Sequence, residues 1–292
     1  MLNSANEVAV AFERQRAHLR AVAYHLTGSL SEADDAVQEA WLRLSRTDPA
    51  VIDNLTGWLT TVVARLSLDH LRARTARRED ASLPDPLVSG PDAVDPEHEV
   101  LRAEAVGLAM LVVLDSLSAA ARTAFVLHDV FAVPFDDIAR LLGRSPGAVK
   151  QLASRGRRRV RDGVPPADPD SGRRRAVADA FFAAARDGDF DRLLSVLDPD
   201  VVVRADLGPA SALEILRGSD AVARQAERFA RLAQEVRPVL VNGGPGAVAL
   251  RGGTPYAVLG LTVAGGRVVA LDVIAAPARL RTLSRGSRTP AT

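Results

Sequence analysis

The stretch 135–161 constrains the fold most, because a glycine turn separates two runs of helical periodicity in it. The pattern combines large apolar positions, a small residue where two helices would cross and a turn glycine: Ile138, Leu142, Val149, Leu152, Ala139 and Gly143. Glycine suits a turn that leaves the right-handed helical region. Ser145 can cap a second helix, whose first turn tolerates Pro146. We therefore predict a helix-turn-helix.

The second of these helices has a polar and basic outward face, which consists of Ser145, Lys150, Gln151, Ser154, Arg155, Arg157 and Arg158. Such a helix contacts base edges from its N-terminal half, while cations around it hold phosphates. Lys150 and Gln151 can pair with base edges, and the arginines suit phosphate. A solvated basic helix end is the alternative, because cations also favour helix C-termini. The net charge of +1 does not argue against DNA, since local clustering sets the field that phosphates feel.

The composition excludes several kinds of site. The chain has no cysteine, which excludes disulfides, cysteine–zinc sites and cysteine nucleophiles. Aromatic residues make up 4%, so we expect cores of Leu, Val and Ala. The N-terminus lacks a basic-then-apolar signal, and no apolar run is long enough to span a membrane. We expect a cytoplasmic protein without membrane association, metal or cofactor.

Two stretches rich in proline and glycine are predicted linkers, because these residues interrupt helices and strands. With the linkers at 80–96 and 163–172, the predicted blocks are 1–79, 97–162 and 173–284, followed by a flexible tail at 285–292. The first two blocks are predicted to be all-α, and the third α+β with a curved antiparallel sheet. Its predicted elements are helices at Arg173–Arg186 and 219–233 and strands at Val201–Arg204, Val236–Val241, Ala247–Leu250, Tyr256–Val263 and Arg267–Ile274.

Apolar spacing predicts helices throughout the first two blocks. They lie at Val8–Leu26, from Ser31 onward, at Leu55–Arg74, and at 97–117, 119–130, 135–142 and 146–161. Ser31 is the predicted N-cap of the second helix, with Asp34 as a partial capping box. The predicted inward residues are Ala33, Val37, Ala40 and Leu44 in the second helix, and Trp58, Val62 and Leu66 in the third, with Leu68 as a further candidate there.

Two segments of the first block resemble the extracytoplasmic-function sigma factors, the two-domain specificity subunits of bacterial RNA polymerase. Residues 32–44 read Glu-Ala-Asp-Asp-Ala-Val-Gln-Glu-Ala-Trp-Leu-Arg-Leu, and residues 57–72 read Gly-Trp-Leu-Thr-Thr-Val-Val-Ala-Arg-Leu-Ser-Leu-Asp-His-Leu-Arg. The first is similar to the family's helix for the polymerase clamp. The second is similar to the segment that opens and reads the upstream part of the melted promoter. The resemblance implies that 1–79 is sigma region 2 and that 97–162 is region 4, which reads the minus-thirty-five element.

The resemblance also implies site residues and partners, namely core RNA polymerase and promoter DNA. The polymerase-binding face comprises Asp35, Gln38, Glu39, Leu42 and Arg43, for which a solvated surface with local ion pairs is the alternative. Promoter melting needs base capture and a cationic track. The candidates are Asn54 for base capture and Arg65, Arg72 and Arg74 for the track.

The third block resembles a SnoaL-like domain, a cone-shaped α+β fold, over the run from Phe181 to Asp206. Some sigma factors of this type carry such a domain as a regulatory extension. Four motifs are similar to that subgroup: Ser82-Leu-Pro-Asp-Pro-Leu, Asp206-Leu-Gly-Pro, Asn242-Gly-Gly-Pro-Gly and Ala276-Pro-Ala-Arg-Leu. The implied regulatory residues are Asp206, Asn242, Gly243, Gly244 and Pro245, and the linker 80–96 is the segment that we expect the domain to control.

No catalytic residue is expected. A cyclase or isomerase of this shape needs an acid or base inside the cone, and only Asp206 and Asp272 are candidates near strands. A small apolar ligand in the cone is an open possibility. The leading hypothesis is therefore a sigma factor that directs transcription initiation and carries its own regulatory domain. The alternative is a one-component helix-turn-helix regulator with a ligand-binding cone, which would bind a palindrome as a dimer.

Overall fold

The computed structural model describes residues 5–77, 82–90, 107–163, 166–208, 211–233 and 235–286. These residues belong to two units. The helical unit contains 5–77 and 113–163, and the C-terminal unit contains 82–90, 107–112 and the described residues from 166 onward. The prediction of helical domains followed by an α+β domain is confirmed.

The helices up to residue 163 match the predicted ones in number and kind where they are described. They are α1 (Ala5–Thr27), α2 (Leu30–Leu44), α3 (Leu55–Arg77), α4 (Leu108–Asp115), α5 (Ala119–Phe125), α6 (Phe135–Leu142) and α7 (Pro146–Gly163). The predicted helix at 119–130 changes after α5 into a π-helical turn, Val126–Val130. The first ten residues of the predicted helix at 97–117 lie outside the described residues.

Two details of the first three helices differ from the prediction. The N-cap of α2 is Ser29, whose side chain accepts the N–H of Glu32, so Ser31 lies inside the helix. The candidate Leu68 is buried, whereas the predicted Trp58, Val62 and Leu66 are half-buried. The buried residues of α3 are Leu59, Thr60, Val63, Ala64, Ser67, Leu68 and Leu71. The reason is that α3 packs against α1 and α2 on one side and against α5 on another, so its apolar surface is wider than one stripe.

The helix-turn-helix is confirmed in its local details. The predicted inward residues Ile138, Ala139, Leu142, Val149 and Leu152 are all buried. Gly143 ends α6 in the left-handed region with φ 63°. The Ser145 side chain accepts the N–H of Ala148 at 3.3 Å and thereby caps α7. A Cβ on Gly156 would lie 2.7 Å from the Phe125 Cβ, so glycine permits the close approach of α5 and α7.

The C-terminal unit contains a seven-stranded sheet in the order β1-β4-β5-β6-β7-β2-β3. Its strands are β1 (Val88–Ser89), β2 (Leu197–Asp206), β3 (Glu214–Arg217), β4 (Glu235–Val241), β5 (Gly244–Arg251), β6 (Thr254–Ala264) and β7 (Arg267–Ile274). Its helices are α8 (Ser171–Asp187), α9 (Phe190–Val196), α10 (Ser219–Ala230) and α11 (Pro277–Gly286). The elements β1, β3, α9 and α11 were not predicted. The expectation of a purely antiparallel sheet is wrong, because β2 pairs with β7 in parallel. A long connection joins these two strands, so no tight hairpin dictates their direction.

The two faces of this sheet carry different cores. Helices α8 to α10 cover one face, where Phe181, Leu193, Val203, Leu259 and Leu271 belong to one buried cluster. Side chains alternate between the faces of a strand. The opposite face carries a second cluster, which consists of Leu83, Leu108, Val241, Val258, Ile274 and Leu280. Its members Leu83 and Leu108 come from outside the predicted third block, so the predicted boundary at 173 is too late.

Both predicted linkers are ordered parts of the C-terminal unit where they are described. In the first, Leu83 and Leu87 are buried, and β1 pairs with β4. In the second, the Asp168 carboxylate accepts the N–H groups of Gly265 and Gly266 at 2.9 and 2.8 Å. Helix α8 then begins two residues before the predicted Arg173, because Asp170 caps it. In the described residues 82–87 and 166–169, where proline occurs, the chain forms no helix or strand but packs on the C-terminal unit.

Candidate functional site

One exposed face of α2 carries the residues that were predicted to bind polymerase. Asp35, Gln38, Leu42 and Arg43 are exposed, and Glu39 is half-buried. Arg43 donates from Nε to the Glu39 carboxylate at 3.1 Å, which is an ion pair across one helical turn. Leu42 is 38% exposed beside this pair. The face is therefore polar and accessible, with one partly exposed leucine.

The predicted cationic track on α3 is divided. Arg65 and Arg72 are exposed, with the Arg72 guanidinium 3.6 Å from the Asp69 carboxylate. Arg74 is half-buried, and its Nη1 donates to the Thr27 carbonyl at 2.9 Å, at the last residue of α1. A cation at a helix C-terminus is electrostatically favourable. Arg74 therefore contributes to the packing of α1 against α3, whereas Arg65 and Arg72, the other two predicted residues, lie on the open surface.

Asn54 lies immediately before α3 and caps it. Its Oδ1 accepts the N–H of Gly57 at 3.0 Å. It also lines a cleft of about 290 Å³ whose wall includes Phe131, Pro134 and Ile138 from the second half of the helical unit. Oδ1 keeps a second lone pair, and the side chain of Asn54 is exposed.

A buried arginine joins the first three helices to the later ones of the helical unit. Arg122 is 2% exposed on α5, donates from Nε to the His25 carbonyl at 3.2 Å and forms an ion pair with Asp115. Its Nη2 has no hydrogen-bond partner among the described residues. Burial lowers the pKa of the Arg122 guanidinium, and Asp115 partly offsets that effect. Removing Asp115 from this buried cation would be costly, because the charge would be left without compensation.

The outward face of α7 is polar and largely accessible. Ser145, Lys150, Gln151, Ser154, Arg155, Arg157 and Arg158 are all classified as exposed. Arg157 is engaged, because its Nη1 donates to the Asp129 carboxylate at 2.7 Å. The Lys150 ammonium nitrogen lies 5.7 Å from the centroid of the Phe135 ring. The helix therefore presents Lys150, Gln151, Ser154 and Arg155 along one surface, with Arg158 further toward its C-terminus.

Two of the predicted regulatory residues bind the backbone of residues 82–90, which we call the docked segment. The Asp206 carboxylate accepts the Leu83 N–H at 3.2 Å. The Asn242 side chain accepts the Leu87 N–H at 3.1 Å, and the Asn242 N–H donates to the Leu87 carbonyl at 2.8 Å. Asp206 ends β2, whereas Asn242 follows β4, so the two contacts come from distant strands of one sheet.

An arginine that was not predicted completes this docking. Arg279, in the first turn of α11, forms ion pairs with Asp206 and with Asp85 of the docked segment, at 2.8 Å for Asp85. The motif Ala276-Pro-Ala-Arg-Leu was singled out in the sequence, but Arg279 within it was not. The available signal was that this motif contains a basic residue, whereas two of the accompanying motifs contain aspartate. Opposite charges in associated motifs indicate an ion pair between them. Arg122 could have been found as a lone cation in an apolar helix.

The remaining predicted regulatory residues form the β4–β5 turn. Asn242 and Gly243 both have positive φ, 50° and 73°, as a two-residue hairpin turn of type I′ requires. Gly244 and Pro245 are not between the strands as predicted but are the first residues of β5, where they pair with Val241 and Leu240. The turn thus holds the Asn242 side chain beside Leu87.

Neither carboxylate that was considered for catalysis faces the helix-covered side of the sheet. Asp272 is flanked by Leu271 and Val273, which belong to the helix-covered cluster, so its side chain points to the opposite face. There it pairs with Arg204, Nε to Oδ1 at 2.6 Å. Burial raises the pKa of the Asp272 carboxyl, and Arg204 opposes the rise. Asp206 is likewise paired, with Arg279.

The helix-covered cluster consists of apolar side chains. Apolar side chains are compatible with the small apolar ligand considered above, which stays a prediction. No group of three or more potential metal-ligating side chains occurs in the described part of the chain. None of the helices within it has the length and apolarity needed to cross a membrane.

Three protein-family models match successive parts of the chain. Residues 11–77 match the model for sigma-70 region 2, residues 108–160 that for sigma-70 region 4, and residues 178–277 that for a SnoaL-like domain. The first match contains α2, α3 and Asn54, and the second contains the helix-turn-helix. The docked segment lies between the first two matches.

Whole-chain relatives share this arrangement. The chain is 43% identical to the ECF RNA polymerase sigma factor SigJ of Mycobacterium tuberculosis over 288 residues, which cover 91% of each chain. It is 33% identical to a protein of the same species named probable ECF RNA polymerase sigma factor SigI, with 94% of each covered. The crystal structure of M. tuberculosis SigJ matches with a TM-score of 0.76 at 38% identity, covering 94% of this chain and 98% of that one. The alternative, a one-component regulator, would act without core polymerase and would have no use for a sigma-70 region 2. The match to region 2 therefore favours the sigma factor. The chain belongs to the extracytoplasmic-function sigma factors of RNA polymerase, and it carries a C-terminal SnoaL-like domain.

Proposed function

We propose that the SnoaL-like domain restrains this sigma factor by holding the docked segment, which joins region 2 to region 4. The observation that carries the proposal is that Asp206 and Asn242, from different strands, both accept backbone N–H groups of residues 82–90. These hydrogen bonds are made to backbone N–H groups, so they do not depend on the side chains of the segment. Such contacts can therefore restrain a proline-rich stretch.

The strength of this restraint can be judged from its contacts. Leu83 and Leu87 are buried, and burial of one leucine side chain stabilises by about 1.5–3 kcal/mol. Each backbone hydrogen bond adds about 1 kcal/mol, and the half-exposed pair between Asp85 and Arg279 adds little more, because solvent screens it. The segment would be released only when a competing partner supplies several kcal/mol.

The length of the connection explains why release would matter. The predicted linker 80–96 has 17 residues, and a free chain of that length spans up to about 60 Å. While residues 82–90 are docked, they cannot contribute to this span. We infer that core polymerase must compete with the SnoaL-like domain before regions 2 and 4 can reach their separate promoter elements. The domain would then oppose holoenzyme assembly.

The contact faces follow from the exposed residues. The α2 face of Asp35, Gln38, Glu39, Leu42 and Arg43 would bind the polymerase clamp in the cytoplasm. The α7 face would read the minus-thirty-five element through Lys150 and Gln151, with Ser145, Ser154, Arg155 and Arg158 supporting it. Asn54, Arg65 and Arg72 would contact the melted upstream part of the promoter. We assign Arg74 and Arg157 to packing, because each donates a hydrogen bond of 2.9 Å or shorter to a residue outside its own helix, whereas Arg72 has only a 3.6 Å exposed pair within α3.

A pair of substitutions in the β4–β5 turn tests the restraint. Asn242→Gly keeps the positive φ of 50° available and removes the acceptor for Leu87. Gly243→Asn changes the exposed neighbouring residue, whose φ of 73° an asparagine tolerates, and leaves the Asn242 acceptor in place, so it is the matched control. We expect Asn242→Gly to raise hydrogen exchange in a peptide covering residues 82–90 by about tenfold, because one buried hydrogen bond is lost. We also expect tighter binding to core polymerase and more run-off transcription at limiting polymerase.

The control and the failure can be told apart. Gly243→Asn should exchange and transcribe like the unmodified chain. If Asn242→Gly exposes the segment but leaves core affinity and transcription unchanged, the segment is not a restraint and the proposal is wrong. If its exchange does not rise, Asn242 does not hold the segment.

A further inference from the structure

Lys150 is the only lysine in the chain, whose other basic side chains are arginine and histidine. It lies on the outward face of α7, and its ammonium nitrogen is 5.7 Å from the centre of the Phe135 ring. This distance is within the range of a cation–π attraction. No carboxylate forms an ion pair with Lys150 among the described residues. The ring of Phe135 is therefore the feature that orients this cation.

The other contact of the Phe135 ring is a stacked imidazole. The rings of His128 and Phe135 have centroids 3.6 Å apart and planes inclined by 26°. His128 Nδ1 is 3.1 Å from the Val133 carbonyl oxygen, which can only accept, so Nδ1 carries the hydrogen. The imidazole is thus fixed to the turn before α6, and it fixes the phenyl ring in turn.

Phe135 differs from the core residues of its own helix. Ile138, Ala139 and Leu142 are buried, whereas Phe135, the first residue of α6, is half-buried. A leucine would satisfy the apolar contact at this position, but it has no π face for a cation. The aromatic character of Phe135 therefore has a use beyond packing, and that use is the placement of Lys150.

We propose that Phe135, supported by His128, is a positioning residue for promoter recognition, which holds the Lys150 ammonium at one place on the DNA-reading face. A lysine side chain has many rotamers, and ordering it on binding costs free energy. An ammonium that is already held over the ring loses less of this freedom when it meets a base edge or a phosphate. The inference rests on the proposed assignment of Lys150 to DNA contact.

The sole lysine allows a direct test of the geometry in the full chain. Reductive methylation with carbon-13 formaldehyde labels Lys150 and the N-terminal amine only. The Lys150 methyl resonance should be shifted by the ring current of Phe135, and the shift should disappear in Phe135→Leu and persist in Phe135→Tyr. An identical Lys150 resonance in the unmodified chain and in Phe135→Leu would overturn the contact.

A double-mutant cycle tests the function. Holoenzyme binding is measured on a promoter fragment that the unmodified holoenzyme selects from its own genomic DNA. We expect Phe135→Leu to weaken binding about two- to fivefold, the size of an exposed cation–π contact. Phe135→Leu should cost nothing further when combined with Lys150→Ala, and Phe135→Tyr should retain the affinity. The effects of Phe135→Leu and Arg155→Ala should add in the double variant, because Arg155 does not contact the Phe135 ring.

The two possible failures are distinguishable. If Lys150→Ala does not weaken binding, the assignment of Lys150 to DNA is wrong and the positioning role falls with it. If Lys150→Ala weakens binding but Phe135→Leu does not, or if their effects simply add, Lys150 reads DNA without help from Phe135. A loss of thermal stability in Phe135→Leu alone would not produce the predicted non-additivity.

Discussion

Replacing Arg204 by Met should destabilise the C-terminal unit strongly and in a manner that depends on pH. The Arg204 and Asp272 side chains are 14% and 2% exposed, and Nε and Nη2 of Arg204 lie 2.6 and 3.2 Å from the two carboxylate oxygens. Breaking a buried pair by removing one partner costs about 3–5 kcal/mol, because a buried charge is left without compensation. Solvent screens this pair little, because both side chains are almost completely buried. Met retains most of the length and apolar volume of the arginine side chain.

The pH dependence follows from the direction of the pKa change. Burial already raises the pKa of the Asp272 carboxyl, and without Arg204 the rise is no longer opposed. A carboxyl with a folded-state pKa above its unfolded value favours the folded state fully below the unfolded pKa of about 3.9. This contribution is lost as the pH rises through the folded pKa. The destabilisation of Arg204→Met relative to the unmodified chain should therefore be smaller at about pH 5 than at about pH 8.

Calorimetric unfolding of the intact chain measures this effect, and loss of hydrogen-exchange protection in β6 and β7 assigns the transition to the C-terminal unit. The control is Arg204→Met combined with Asp272→Leu, which removes both charges. It should recover most of the lost stability, because apolar replacements of buried pairs are often neutral or stabilising. Equal destabilisation at both pH values, or a double variant as unstable as the single one, would refute the reasoning.

Three further predictions concern partners. Asp35→Arg with Glu39→Arg should weaken binding to core polymerase by about tenfold or more with unchanged circular dichroism, because the charge of the α2 face is inverted; unchanged affinity would contradict the assignment of that face. Arg155→Ala with Arg158→Ala should lower the slope of log affinity against log salt for holoenzyme on promoter DNA by about one to two, and an unchanged slope would exclude both from phosphate contact. Ending the chain after Asp162 should raise transcription at limiting polymerase, because residues 82–90 lose the groups that dock them, and equal transcription would argue against a restraint.

The helix-turn-helix was predictable in detail because its determinants are local. The periodicity of Ile138, Leu142, Val149 and Leu152 and the turn at Gly143 act within a few residues of one another, and each is observed as predicted. The inward stripe of α3 was not predictable in the same way. An amphipathic helix with one partner has one stripe, but α3 has partners on two sides, and only the tertiary structure identifies them.

The identity of the regulatory residues was also partly accessible. Asp206 and Asn242 were selected through resemblance, and both contact the docked segment. Gly243, Gly244 and Pro245 were selected with them, but they build the turn that presents Asn242. A motif indicates that residues act together, but it does not separate those that bind from those that shape the backbone.

The sequence by itself determined the family, the order of the domains and the helix-turn-helix, because these depend on periodicity, turn chemistry and motifs within short stretches. Only the tertiary structure decided that the proline-rich stretch is docked rather than free. Leu83 meets Asp206, Leu87 meets Asn242 and Asp85 meets Arg279 across sequence separations of 123, 155 and 194 residues. No local pattern encodes such pairs. Each depends on how the folded sheet and the helix that follows it bring distant parts of the chain together.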